Sequence, residues 1–81
     1  MDRKNLLHQL GRQIQLHRKQ LGITQEEFAN KLSIDRSYMG RIEQGRINLS
    51  FIKLYELSIA LEIDLSTLLK EIDYSKEREP F

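Results

Sequence analysis

The sequence contains no cysteine, which excludes disulfide staples and thiolate metal sites and fits a reducing compartment. Proline occurs once, at position 80, and glycine four times, so little interrupts helix formation ahead of that position. No apolar run approaches the roughly 18 residues that a membrane helix requires. The chain does not open on a secretory leader either, and a soluble cytoplasmic protein is expected. No segment alternates apolar and polar residues with period two, so strands are not expected. Internal repeats, low-complexity tracts and interdomain linkers are also missing.

What remains is a chain of 81 residues, 40% hydrophobic, which is enough for one small helical domain. A chain this short buries only about 60% of its unfolded surface, so its core is compact and a second subunit would help. The net charge of +1 conceals an asymmetry. Residues 1–50 carry 9 Lys/Arg against 5 Asp/Glu, whereas residues 51–81 carry 4 against 7. A basic first part beside an acidic second part suits a molecule with one face toward a polyanion, although scattered solvated charge would look the same.

Apolar periodicity and capping residues divide the chain into five helices. The first spans roughly 3–20, with Leu7, Leu10, Ile14 and Leu21 at three-to-four spacing. Gly22 is its left-handed stop. The second, about 25–32, starts with a capping box in which Thr24 and Glu27 satisfy each other's backbone amides. It turns Phe28, Ala29 and Leu32 inward. Ser33 and Ile34 form a tight turn, and Ile34 plugs the core. Asp35 is a good N-cap for the third helix, about 36–44, whose inner face holds Met39 and Ile42. Gly45 ends that helix. Ser50 caps a fourth, about 51–60, whose apolar stripe combines Ile52 or Phe51 with Leu54, Leu57 and Ala60 or Leu61. Asp64 caps a fifth, about 65–72, carrying Leu65, Leu68, Leu69 and Ile72. Residues 1–72 thus form the domain, and the charged, aperiodic residues 73–81 a flexible tail.

The second and third helices, with the tight turn between them, form a helix-turn-helix pattern suited to reading DNA. A major groove accepts one α-helix, and residues near its N-terminus reach base edges. Arg36 and Ser37 occupy the first two positions of the third helix, and Arg41 lies one turn further on the same face. Arginine donates two parallel hydrogen bonds to guanine, and the hydroxyl of Ser37 adapts to several bases. Asp35 serves either as the cap or as an acceptor from cytosine. Phosphate contacts supply most of the affinity in such complexes. Gln25 stands at the N-terminus of the second helix, where a positive dipole end favours an anion. Tyr38 offers a phenolic hydroxyl to a phosphate or packs half-buried. Gln44, Arg46 and Asn48 follow the reading helix, where the chain tracks the DNA backbone or is simply a polar loop. Arg12 and Lys19 are further phosphate candidates. Gly40 is unexpected inside a helix, where glycine costs about 1 kcal/mol against alanine. It permits close approach either of DNA or of a neighbouring helix.

Arg18 falls beside the apolar stripe of the first helix, and Glu43 lies next to core Ile42. A structural ion pair between them would tie the first helix to the reading helix. Phe51, Tyr55, Ile59, Ile63 and Leu65 offer more apolar surface than the last two helices need for their own core. That surplus fits a symmetric dimer reading two half-sites about 34 Å apart, or a larger monomer core. His8 and His17 lie nine residues apart on the first helix, with no third ligand or paired carboxylate converging on them. No catalytic residue, metal site or cofactor is therefore expected.

These residues resemble the lambda-repressor-like, or Cro/C1-type, helix-turn-helix family. The likeness runs through Arg18-Lys-Gln-Leu-Gly-Ile-Thr-Gln25, Phe28-Ala29 and Ile42-Glu43-Gln44-Gly45, and covers about residues 8–70. It implies an all-α, compact five-helix DNA-binding domain. It also implies that Gln25 touches phosphate, that Arg36, Ser37 and Arg41 face bases, and that Arg18 pairs with Glu43. A narrower likeness, through Asp35-Arg36-Ser37-Tyr38, Ile42-Glu43 and Arg46-Ile47-Asn48-Leu49-Ser50, is to the controller proteins of restriction–modification systems. Those are small homodimeric regulators that pair through their last helices. Two positions depart from the wider pattern. Ser33 stands where many members place glycine, and His17 where a leucine-like residue is common, which shifts apolar weight to Leu16.

The resemblance implies a sequence-specific transcriptional regulator that binds an inverted-repeat operator as a homodimer. A phage or plasmid repressor of the same fold, and an antitoxin or antirepressor acting through a protein partner, fit the sequence too. Double-stranded DNA and a second copy of the chain are the expected partners, with no membrane and no small-molecule substrate.

Overall fold

The computed structural model describes residues 2–75, and among them there are five α-helices and no strand. The helices are α1 (Arg3–Gln20), α2 (Gln25–Lys31), α3 (Arg36–Glu43), α4 (Phe51–Ala60) and α5 (Leu65–Leu69).

Side-chain caps start three of them. Asp2 accepts from the Asn5 amide at α1, and Ser50 accepts from the Lys53 amide at α4. At α2 the capping box is complete. The Glu27 amide donates to Thr24 Oγ1 at 3.1 Å, and the Thr24 amide donates to Glu27 Oε1 at 2.9 Å. Asp35 and Asp64 occupy N-cap positions with extended backbone, but neither side chain accepts a capping bond. The expectation that their carboxylates cap is thereby corrected. The Asp35 carboxylate instead accepts a hydrogen bond from Ser37 Oγ.

Four helices end alike. After α1 the left-handed residue is Gly22, and the amides of Gly22 and Ile23 return to the carbonyls of Lys19 and Arg18. After α3 it is Gly45, with bonds from Gly45 to Ile42 and from Arg46 to Arg41. This is the Schellman arrangement, and the two glycines enter it without a Cβ penalty. After α2 and α4 the same two-bond closure is made by Ser33 (φ 56°) and Glu62 (φ 62°). A non-glycine residue pays about 1–2 kcal/mol for that conformation. The cost is offset because the next residues, Ile34 and Ile63, are thereby swung against the core.

Ile14, Phe28, Ala29, Met39, Ile42, Leu57, Ala60, Leu61 and Leu68 form one buried cluster. Each large side chain removed from water contributes about 1.5–3 kcal/mol. Leu10, Leu32 and Ile34 pack against this cluster as their spacing required. Leu16 and Leu21 do not: both are exposed. Leu21 is the C-cap of α1, already leaving the buried face, and His17 is half-buried. On α4 the inward face is Leu54, Leu57, Ser58 and Leu61, so Phe51 and Ile52 point away and are 67% and 65% exposed. Neither belongs to the core stripe. Lys31 fastens α2 to α4, donating to the Ala60 carbonyl at 2.8 Å, where the negative end of the helix favours a cation.

The helix α5 stops at Leu69, three residues before its expected end. Gln9 holds both backbone groups of Asp73, accepting from its amide at 2.7 Å and donating to its carbonyl at 3.2 Å. Reaching α1 requires the chain to leave the helix, and Ile72 stays buried in the turn. Of the tail 73–81, residues 76–81 lie outside the described residues.

Candidate nucleic-acid interface

Helix α3 has two unlike faces. Met39, Ile42 and Glu43 are buried, while Arg36 and Ser37 are exposed and Arg41 is half-buried. The division follows from helical spacing: positions 39, 42 and 43 share one side, and 36, 37, 40, 41 and 44 the other.

The orientation of α3 is set by a buried ion pair. Arg18 comes one turn after Ile14, which forces its side chain inward, and it is 6% exposed. Its Nε donates to Glu43 Oε2 at 2.7 Å and its Nη2 to Glu43 Oε1 at 3.1 Å. A third bond, Nη1 to the Ile23 carbonyl at 2.7 Å, holds the α1–α2 turn. Gln25 Nε2 also donates to Glu43 Oε1 at 3.0 Å. The pair expected from sequence is therefore bidentate, and it anchors Gln25 as well.

Backbone contact reinforces this lock. A Cβ on Gly11 would lie 2.7 Å from the Ile42 carbonyl oxygen and closer still to that of Glu43. A Cβ on Gly45 would lie 2.6 Å from His8 Cα. Helix α1 thus crosses the end of α3 with nothing between the backbones. Sequence reasoning missed the role of Gly11. The available signal was a glycine three residues before Ile14, inside a helix where it weakens propensity.

Six of the predicted contact residues converge. Gln25, Arg36, Ser37, Arg41, Gln44 and Arg46, with Gly40, line a surface depression of about 470 Å³ over α3. Three guanidinium groups and two carboxamides meet there, and among the described residues no carboxylate lines it. Such a surface attracts phosphates and presents donors to base edges. Arg46 Nη1 lies 3.4 Å from Gln44 Oε1, so the two side chains share one end of the depression. Gln25 commits one amide proton to Glu43, and its second proton is free to donate.

The other predicted phosphate contacts, Tyr38, Asn48, Arg12 and Lys19, do not line the depression. Asn48 borders a separate cavity with Arg3, Leu6 and Leu7. Tyr38 is half-buried, packs on the core and carries the Arg41 guanidinium 5.7 Å from its ring centroid. That cation–π contact directs Arg41 along the outer face of α3.

The predicted pairing surface divides as well. Phe51, Tyr55 and Ile59 are exposed along the outer side of α4, joined by Ile52. Ile63 and Leu65 are partly buried and pack against the core, so they serve the monomer at least in part. Among the described residues no helix is long and apolar enough to cross a membrane, and no group of three His, Cys, Asp or Glu could hold a metal ion.

Comparison with known proteins agrees with this geometry. Residues 14–68 match the helix-turn-helix family. The chain is 36% identical over 58 residues to the control protein C.MunI of Mycoplasma sp., covering 72% of this chain and 78% of that protein. It is 34% identical over 70 residues to the immunity repressor of Bacillus phage phi105, covering 86% of this chain and 49% of the repressor. The crystal structure of the restriction-modification controller protein C.AhdI from Aeromonas hydrophila superposes with a TM-score of 0.72 at 34% identity. That match covers 76% of this chain and 94% of C.AhdI. The chain belongs to the helix-turn-helix family, in its lambda-repressor-like branch of DNA-binding transcriptional regulators.

Proposed function

We propose that this DNA-binding regulator acts in the cytoplasm as a homodimer on an inverted-repeat operator, controlling the genes of a restriction–modification system. The observation that carries the reading is the convergence of Arg36, Arg41, Arg46, Gln25 and Gln44 on one depression over α3 that no carboxylate among the described residues lines. Arg36, Ser37 and Arg41 read base edges. Gln25, Gln44 and Arg46 hold phosphates, with Tyr38 and Asn48 contacting the backbone at the margins. The outer side of α4, through Phe51, Tyr55 and Ile59 and flanked by Ile63 and Leu65, pairs two copies so that two reading helices enter successive major grooves. The likeness to C.MunI and C.AhdI supports the controller assignment. The likeness to the phi105 repressor supports a phage-type repressor as the second reading. In both, the protein works by binding, with no catalytic residue, metal or cofactor.

Selection of duplexes from a random pool, followed by affinity measured against salt, tests the proposal. If each subunit neutralises about three phosphates, log affinity should fall with log salt at a slope near −5. Arg36→Ala should lose about 1–3 kcal/mol of discrimination for the selected sequence, with unchanged helicity. A flat salt response, or full discrimination by Arg36→Ala, would overturn it. Reporter fusions then separate the two readings: control of an adjacent methyltransferase or endonuclease promoter supports the controller, and of a divergent repressor promoter the phage switch.

A further inference from the structure

We propose that Gly40 is the floor of a seat for a DNA phosphodiester, and that its missing side chain serves DNA approach and not folding. The proposal rests on the DNA-binding reading above and assigns to it a residue that has no side chain to make a contact.

Gly40 lies in the middle of α3, where a glycine lowers the folded-to-unfolded ratio about two- to fivefold relative to alanine. A fold tolerates that loss when the backbone needs a left-handed φ or when a neighbour lies too close for a Cβ. Both reasons operate elsewhere in this chain. Gly22 and Gly45 have φ of 74° and 76°, and a Cβ at Gly11 or Gly45 would collide with backbone. Neither reason applies at Gly40. Its φ is helical, and among the described residues a Cβ there would meet only Gln25 Oε1, at 3.7 Å, an ordinary contact. The protein's own packing therefore leaves room for alanine.

The demand for space comes from outside. Gly40 borders the depression over α3, with Arg36 one turn before it, Gln44 one turn after it, Arg41 beside it and Gln25 reaching over from α2. At Gly40 alone α3 has no side chain, so a group can come down onto the backbone among the guanidinium groups of Arg36, Arg41 and Arg46, with the Gln25 side-chain carbonyl oxygen at one side. The Asp35 carboxylate is held by Ser37 at the N-terminal edge of the depression. Compact, anionic and rich in acceptors, a phosphodiester matches that surrounding.

Gly40→Ala tests this with two measurements on the full chain: urea unfolding, and affinity for a selected operator duplex and for an unrelated duplex of equal length. The expected variant is more stable, its folded-to-unfolded ratio raised about two- to fivefold. It also binds both duplexes about tenfold or more weakly, because a methyl group forced into a filled contact shifts everything around it. Unchanged affinity for both duplexes would overturn the seat. Weakening on the operator alone would place a base edge over Gly40 and overturn the phosphodiester. Lower stability would show that the fold itself demands glycine, and the seat would be overturned on that ground too. Wild-type protein that binds neither duplex would instead overturn the DNA-binding reading, a result distinct from all of these.

Discussion

The molecule buries charge in one place and exposes hydrocarbon in another. Between α1 and α3, Arg18 and Glu43 are 6% and 5% exposed. Along the outer side of α4, Phe51, Ile52, Tyr55 and Ile59 are each more than half exposed. Both reverse the usual partition, and a buried charge or an exposed apolar patch is informative where a single exposed leucine is not. The first region is complete: each guanidinium nitrogen of Arg18 and each carboxylate oxygen of Glu43 has a partner, and the geometry of α3 is fixed by it. The second is unfinished, an apolar surface left exposed by the described residues of one copy of the chain. One region fixes where the reading helix points. The other, on the proposed reading, sets how many reading helices act together.

Breaking the lock should have the largest effect. Arg18→Met alone strands the Glu43 carboxylate in the interior and should cost about 3–5 kcal/mol, read from urea unfolding. Adding Glu43→Leu should restore part of that loss, because two apolar side chains pack where one unpaired charge cannot. A single variant as stable as wild type would show that the pair holds nothing together.

A change on α4 should spare the fold. Ile59→Lys is expected to leave the monomer within about 0.5 kcal/mol of wild type. A symmetric interface contains the substitution twice, so dimerisation should weaken by about 3 kcal/mol or more, visible by sedimentation equilibrium. Operator affinity should fall with it. A variant that still sediments as a dimer would mean that the surplus apolar surface serves something else.

The smallest effect sharpens a different contrast, between the two helix starts of the motif. At α2, Glu27 is held below its ordinary pKa of 4.5, first by the hydrogen bond from the Thr24 backbone and then by the Thr24 hydroxyl. A carboxyl depressed in the folded state stabilises above its unfolded pKa and loses that contribution as pH falls through the folded value. Glu27→Gln keeps an acceptor without the titration. The stability gap between wild type and Glu27→Gln should therefore be widest near neutrality and narrow below pH 4.5. A constant gap would mean that the charge contributes nothing. Asp35 at α3 makes no corresponding cap, so the helix proposed to face DNA begins without one.

Much of this was legible in the residues because it is local. Thr24 with Glu27, Ser50, Gly22 and Gly45 each act within a few positions of themselves, so helices α1 to α4 begin and end within one residue of expectation. What sequence misplaced depends on distant partners. Glu62 adopts left-handed backbone because Ile63 is drawn into the core. Helix α5 is short because Gln9, 64 residues away, holds Asp73. Asn48 and Arg46 are near neighbours in the chain, yet they border different cavities. Phe51 and Ile52 looked as suited to a core as Leu54, and only the docking of α4 through Leu57 and Leu61 turned them outward.

By itself, then, the sequence determined five helices, their order, the turn between α2 and α3, and the residue types on offer along α3, since propensity and capping are properties of neighbours along the chain. Tertiary structure alone decided which way each helix faces and which side chains share a surface. Those depend on backbone contact at Gly11 and Gly45 and on a carboxylate that accepts from Arg18 and Gln25 at once, across 25 and 18 positions of chain. Packing selects among faces that periodicity leaves equivalent, and at Gly40 it left a gap over α3 that none of the described residues fills.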